Sequence, residues 1–396
     1  MILDESQEEA IRFATSNKIV LITGGAGTGK TTIVENIYYK MKCPFHLCAP
    51  TGKAAARLRE ATGQSAKTIH SLLGYNGTSF TAGDLSEYAI IVDESSMLSS
   101  DLLAALAIRK PAFIVLVGDN GQLHPVGAGA PFHDIIQLRP DICRELTHCY
   151  RSSEAVCHAG NQVRIGVYPG AKIESANERF EHMICGDPAA AQSMIVDMAA
   201  RGDLDFEQDI VLCPKNGEIA DDESYQPCTR KALNRALVAA VNEHTDGKKW
   251  KVGDRVMCTK NFAPEDVWNG TTGTIIGIDS EKEIWVKTDT PTRSEKAGDG
   301  AENTRFGKPM IAAMEHAYAL SVHKSQGSQY RKVIFCCFSR DGFMMLNRAL
   351  VYTAITRAQK ECIVIGDQPA FVNALQRLEV KTTVLQQLAR EASCQR

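Results

Sequence analysis

The chain has 396 residues, 44% hydrophobic and 23% charged with a net charge of −3, a composition that excludes a disordered chain and a globally basic surface and allows two or three domains with their own cores. No apolar run approaches the ~18 residues of a membrane span, and the start, Met1-Ile2-Leu3-Asp4-Glu5-Ser6-Gln7, lacks the blocks of a secretory signal, so the expected location is cytoplasmic with no membrane partner. The thirteen cysteines, several on apolar runs such as Cys48, Cys213, Cys336, Cys337 and Cys362, include no C-x-x-C pair and read as reduced core residues, which excludes a disulfide frame and a zinc site.

Residues 4 to 14 read as a short helix with Ile11 and Ala14 on one side and Gln7 near its start. A glutamine there can both donate to and accept from an adenine edge, and an exposed surface amide is the alternative. The run Lys18 to Thr32 then turns from apolar to glycine-rich and restarts as a helical pattern over Thr31 to Met41. Gly24 to Thr31 fits G-x-x-x-x-G-K-[ST], with the buried strand before it and the helix after it that the motif requires. Glycines let successive backbone N–H groups point at phosphate oxygens while the helix N-terminus adds its positive end. Gly25, Ala26, Gly27, Thr28, Gly29, Lys30, Thr31 and Thr32 are therefore the candidate nucleotide cradle, with Lys30 on the β- and γ-phosphates and Thr31 on Mg²⁺.

Phe45 to Ala49 reads as a second buried strand, and Pro50-Thr51-Gly52-Lys53 opens a helix, giving either a second anion site at a helix N-terminus or plain capping by Thr51. His70, in Thr68 to Leu73, reads as a half-buried structural histidine. Residues 74 to 87 are polar and glycine-bearing, short enough for a hairpin, with Phe80 expected to be exposed as a misread core residue or a platform for something flat. The strand Tyr88 to Val92 ends in Asp93-Glu94; behind a phosphate loop, Asp93 would hold the Mg²⁺ with Thr31 and Glu94 would polarise the attacking water. The strand Phe113 to Val117 leads to Gln122, placed to sense a γ-phosphate. In open parallel sheets ligands sit beyond the carboxyl ends of the strands, where all four of these loops lie, and this convergence favours function over capping for Thr51, Glu94 and Gln122.

A second half starts near Leu146, with apolar runs at 210–213, 317–321, 333–338 and 362–366 and helical patterns at 154–166, 228–242 and 347–357, but no second phosphate loop. Between Val252 and Lys308 the pattern changes to short alternating strands with glycine turns, read as a small inserted β-barrel. Thr290 to Lys308, rich in Gly, Glu, Lys and Thr, reads as a long mobile loop.

In order, Gln7, Gly24 to Thr32, Ala49 to Ala55, Thr68-Ile69-His70, Val92 to Met97, Gly118 to Val126, Tyr150-Arg151, His323 to Gln329 and Tyr352 to Ala358 resemble the motifs of superfamily-one DNA helicases of the 5′-to-3′ class, similar to RecD-like and phage Dda-type enzymes. The resemblance implies an α/β fold of two RecA-like parallel-sheet motor domains, 1–150 and 151–250 with 317–396, an SH3-like β-barrel at 251–316 and a strand-separating pin at 74–87. It implies ATP and Mg²⁺, with Gln7 reading adenine, Gly327 beside the nucleotide, and Arg151 and Arg357 neutralising charge at the γ-phosphate. It places Pro50, Thr51, Lys53, His70, Phe80, Pro125, Asn234, His323, Lys324 and Ser325 against DNA. Two positions depart from the pattern: Gln329 stands where a glutamate is frequent, and Ser152 where a glutamine is common.

The function implied is a monomeric ATP-driven motor on single-stranded DNA and on single-strand/duplex junctions, serving replication, recombination or repair, with single-strand-binding or replisome proteins as candidate partners. The competing readings are a translocase that strips or remodels nucleoprotein without separating strands, and an ATP-gated DNA-binding subunit of a larger complex. Glu94 and the two arginines argue against the last. Polarity rests on the resemblance alone.

Overall fold

A strand apolar at nearly every position must be buried on both faces, and the runs at 19–24, 89–92 and 113–118 are of this kind. In the computed structural model, which describes residues 3–150, 154–217, 227–243, 247–279, 283–290, 303–339, 345–379, 381, 383 and 385–387, they lie side by side in one sheet. The first half runs α1 (Glu5–Ser16), β1 (Ile19–Gly24), α2 (Lys30–Lys40), β2 (Phe45–Ala49), α3 (Gly52–Thr62), β3 (Ala66–Thr68), α4 (Ile69–Leu72), β4 (Ala89–Val92), α5 (Ser100–Ile108), β5 (Phe113–Gly118), α6 (Pro131–Leu138) and β6 (Cys143–Leu146). Its six strands are ordered β3-β2-β4-β5-β1-β6 and all pair in parallel, with Ile19 beside Ile114 and Leu21 beside Leu116.

Alternation along each strand feeds two cores. Val20, Ile22, Ile91, Val115 and Val117 pack with Ile11, Ile33, Ile37 and Leu58 of α1 to α3, while Leu21, Ile90, Val92 and Leu116 pack with Leu102, Leu106 and Phe132 of α5 and α6. Each such fully buried aliphatic side chain contributes roughly 1.5–3 kcal/mol. The result is a sheet covered on both faces whose β1, β4 and β5 are neighbours and send their carboxyl-end loops to one edge.

The second half comprises α7 (Glu154–Arg164), β7 (Lys172–Ser175), β8 (Glu178–Ile184), α8 (Pro188–Ala200), β9 (Asp209–Cys213), α9 (Arg230–Val241), β10 (Arg255–Cys258), β11 (Thr272–Ile278), β12 (Ile284–Thr288), β13 (Thr304–Phe306), α10 (Lys308–Ala312), β14 (Met314–His316), β15 (Ala319–Ser321), β16 (Tyr330–Cys337), α11 (Arg348–Ile355), β17 (Ala358–Gly366) and α12 (Gln368–Gln376). Its main sheet, β15-β9-β16-β17-β8-β7, is parallel except for β7. One face packs Val211, Ile334, Ile363 and Ile365 against Ile195, Leu233 and Leu237 of α8 and α9. β8 escapes the sequence reading because its polar-rich stretch, Glu178 to Ile184, lacks the apolar run of its neighbours.

Three expectations change. The described tail residues from Glu379 to Gln387 group with the first unit, not the second, because their side chains bond to loops of the first sheet. Residues 251–316 form a five-stranded antiparallel sheet, β13-β12-β11-β10-β14, rather than a closed barrel among the described residues; β13 and β14, three residues each, both pair with one neighbour. Of the expected loop 290–308, residues 291–302 lie outside the described residues, and Thr304–Phe306 is strand, with Phe306 buried in the core of this small sheet. No helix among the described residues is long and apolar enough to cross a membrane.

Candidate nucleotide site and nucleic-acid interface

The turn between β1 and α2 requires its glycines. Gly27 and Gly29 both have φ of 80°, in the left-handed region that side chains disfavour. A Cβ on Gly24 would lie 2.5 Å from Thr28 Oγ1, and one on Gly29 2.6 Å from Gln7 Nε2. Thr28 locks the turn by donating its hydroxyl to Gly25 O at 2.9 Å. Gly29 supplies no side-chain cap to α2, so the first turn of the helix turns its backbone N–H groups to the loop. Lys30 Nζ donates to Gly24 O and Gly25 O, both at 2.8 Å, which holds a positive charge at the cradle. These residues fit a bound polyphosphate.

Gln7 is buried at 3% exposure. Its Nε2 donates to Thr28 O at 3.2 Å, and its Oε1 accepts from Asp4 N at 3.3 Å in a reciprocal capping box. The amide thus braces the phosphate loop, and one N–H and one lone pair remain for a base edge. Tyr150 braces the same end of the sheet: its N–H donates to Gly27 O at 2.8 Å and its hydroxyl donates to the Asp4 carboxylate, which pushes the phenol up to about 12.

At the end of β4, Glu94 takes a left-handed backbone (φ 52°), a conformation costing a non-glycine residue about 1–2 kcal/mol, and its N–H donates to Asp93 Oδ1 at 2.9 Å. Burial, then the Glu94 charge, pushes Asp93 up to about 6, with Lys30 and Arg57 pulling the other way. A carboxylate so raised gains from a cation, and the Thr31 hydroxyl on the first turn of α2 is an oxygen donor of the matching type. Arg57 was missed in the sequence, although it stands four residues after Lys53 on α3. At the end of β5, Asp119 is fully buried and accepts from Gly121 N at 2.9 Å and from Gln122 Nε2 at 3.3 Å. Asn120 N donates to Thr23 Oγ1 at 3.3 Å, tying this loop to the last turn of β1.

The comparisons agree with this geometry. The AAA domain family matches residues 2–183, and the UvrD-like helicase C-terminal domain family matches residues 316–365. The chain is 31% identical over 398 residues to the ATP-dependent RecD2 DNA helicase of Deinococcus radiodurans, covering 97% of this chain and 52% of that one. It is 30% identical over 436 residues to the RecBCD enzyme subunit RecD of Mycolicibacterium smegmatis, covering 98% of this chain and 75% of the relative. The chain belongs to the RecD family. It spans about half the length of the Deinococcus relative. The fold is that of Pif1 helicases: the TM-score is 0.57 at 19% identity to a Pif1 structure described as a basis for DNA unwinding at forked double-stranded DNA by two coordinating Pif1 helicases, and 0.54 at 20% identity to Bacteroides Pif1 bound to single-stranded DNA, each covering 100% of this chain and 98% of that one.

The other residues that the resemblance places at DNA or nucleotide divide by burial. Thr51 caps α3, its Oγ1 accepting from Ala54 N at 3.2 Å in a half-buried turn whose last residue, Lys53, is buried at 8% exposure. His70 is half-buried, which holds its pKa below the ordinary value, and its ring meets Tyr75 edge-on at 5.3 Å. Phe80 is corrected: it is partly buried, packing on the core with Leu72, Ala82 and Tyr88. Arg109 draws it down by donating to Phe80 O at 2.9 Å and Ala82 O at 2.6 Å. The tip is the Asn76–Ser79 turn, closed by Asn76 Oδ1, and the exposed aromatic at its base is Tyr75, at 46%.

In the second unit, Asn234 is corrected as a surface contact. Its Nδ2 donates to Arg230 O and Ala319 O, both at 2.8 Å, and its Oδ1 accepts from Tyr318 N and Ala319 N, which uses all four positions of the amide to stitch α9 to β15. Ser325 is also corrected, being fully buried with its hydroxyl donated to Val322 O at 2.7 Å. His323 and Lys324 are half-buried beside it; Lys324 lies 3.8 Å from Glu315, and burial and Arg230 lower its pKa. Arg357, 3% exposed, donates to Thr353 O and Ser328 O at 3.2 Å, and Gly327 sits at φ 73° in the loop leading to Ser328. Arg151 lies outside the described residues.

Proposed function

We propose that this chain hydrolyses ATP to move 5′ to 3′ along single-stranded DNA and to separate duplex ahead of it, acting as a monomer in the cytoplasm. One observation carries the reading: three adjacent parallel strands send the glycine cradle with Lys30, the Asp93–Glu94 pair and the Gln122 loop to the same edge of one sheet. Backbone N–H groups and Lys30 bind the phosphates. Thr31 and Asp93 hold Mg²⁺, which when bound neutralises β- and γ-phosphate charge. Glu94 orients the attacking water and takes its proton, Gln122 senses the γ-phosphate, and Gln7 meets the adenine. Arg357 and Arg151 are assigned to transition-state charge by resemblance.

Support for DNA as the track is membership of the RecD family, together with the likeness in fold to Bacteroides Pif1 bound to single-stranded DNA. The decisive experiment sets duplexes with 5′ and 3′ single-stranded tails side by side with ATP and Mg²⁺. Unwinding of the 5′-tailed substrate alone is expected. Unwinding from the 3′ tail refutes the polarity, and strand-dependent ATP turnover without unwinding of either favours a translocase.

A further inference from the structure

The loop from Asp119 to Gly129 is fastened at its two ends, by the Asp119 network described above and by Ser100 N donating to Ala128 O at 2.8 Å. The stretch between is gripped by the chain's own tail. Glu379 Oε2 accepts from His124 N at 3.4 Å, and its other carboxylate oxygen is 4.0 Å from His124 Nδ1. Lys381 Nζ donates to Pro125 O and, at 3.2 Å, to Gly127 O, two carbonyls that flank the 88%-exposed Val126. Further on, Gln386 Nε2 donates to Asp134 Oδ1 at 2.8 Å at the start of α6, and Thr383 between them is 3% exposed. Glu379, Lys381 and Thr383 recur with a period of two in the sequence.

An ammonium holding two carbonyls and a carboxylate holding the N–H just before them fix a loop that has no regular secondary structure of its own. We infer that Glu379 and Lys381 are positioning residues for the nucleotide reaction: they hold the 119–129 loop so that Gln122 stays in register with the phosphate cradle. This rests on the reading of Gln122 given above.

The test uses the full chain with single-stranded DNA at saturation. Lys381→Ala and Glu379→Gln are each expected to lower kcat for ATP about tenfold with KM within twofold, while Lys381→Arg restores most of the rate. Amide hydrogen exchange over 120–128 should accelerate about tenfold in Lys381→Ala. In a Gln122→Ala background Lys381→Ala should add little further loss. Unchanged kcat and exchange in both tail variants, or a full second loss on top of Gln122→Ala, overturns the inference. Should Lys381→Ala melt at lower temperature, Glu379→Gln, which keeps side-chain volume, decides by the same kcat and exchange criteria. A Gln122→Ala chain with normal turnover would remove the role of Gln122 and the tail inference with it; a slow Gln122→Ala beside normal tail variants removes the inference alone.

Discussion

The two units are each built on a six-stranded sheet that is wholly or mainly parallel and covered by helices, yet the loops beyond their strands are put to different use. In the first sheet, β1 ends in glycines with positive φ, and the polar groups of Lys30, Thr31, Asp93 and Glu94 stay at the surface of the cradle, partly exposed. In the second, Asn234, Ser325 and Arg357 are buried and bonded to backbone carbonyls or amides of their own unit. The same architecture therefore carries partly exposed polar groups at one edge of the first unit and buried, backbone-bonded polar groups in the second. What separates them is where backbone can turn without a Cβ and which polar side chains stay partly exposed, not the order of strands.

The largest expected effect breaks the first unit's side of the contrast. Lys30→Ala should lower ATP turnover by at least about 10³-fold with the far-ultraviolet spectrum and melting temperature kept, since the lysine is half-exposed and, among the described residues, its hydrogen bonds go to two loop carbonyls rather than into a core. Steady-state phosphate release checks it, and near-normal turnover would take Lys30 out of the site. Arg357→Ala sharpens the second unit's side: as a charge-neutralising group it should reduce kcat on the order of 10³-fold while nucleotide affinity, read by titration with a fluorescent ADP, stays within a fewfold. A melting-temperature loss with proportionate activity would instead make its bonds to Thr353 and Ser328 its whole role.

Within the first unit, the hairpin offers a paired test. Phe80→Ala should destabilise the fold by about 2 kcal/mol in urea titration, below the range for a fully buried Phe because its burial is partial. Tyr75→Ala should leave stability nearly unchanged, and if its exposed ring stacks on a base, worth roughly 1–3 kcal/mol, it should slow unwinding more than ATP turnover. Equal slowing of both rates would deny Tyr75 that part.

The smallest effect is on pH dependence. Burial, then the neighbouring His124, pushes His133 down to about 3, against the pull of Asp119, so the folded state holds it neutral while the unfolded chain binds a proton near 6.5. Its contribution is fully present above 6.5 and is lost as pH falls from there toward 3, at up to about 1.4 kcal/mol per pH unit. Urea midpoints between pH 7 and 5 should fall more steeply in the parent chain than in His133→Asn.

Local chemistry was enough to mark out the candidate nucleotide edge. The phosphate loop, Asp93–Glu94 and Gln122 were legible because each is a short contiguous signal at the end of an apolar run, and an apolar run buried on both faces has few structures open to it. The double covering of the first sheet follows from the same pattern. Saturation was not legible: whether Asn234 meets solvent or stitches α9 to β15 depends on backbone groups more than eighty residues away in sequence. Phe80 was misjudged for a related reason, since Arg109, the residue that draws it down, stands on a different element. The tail is the clearest case. Glu379 and Lys381 carry no motif, and only the folded chain brings them to a loop some 255 residues earlier; hydrogen bonds between side chains and irregular backbone leave no periodicity in sequence, so tertiary structure alone decided which loop they hold.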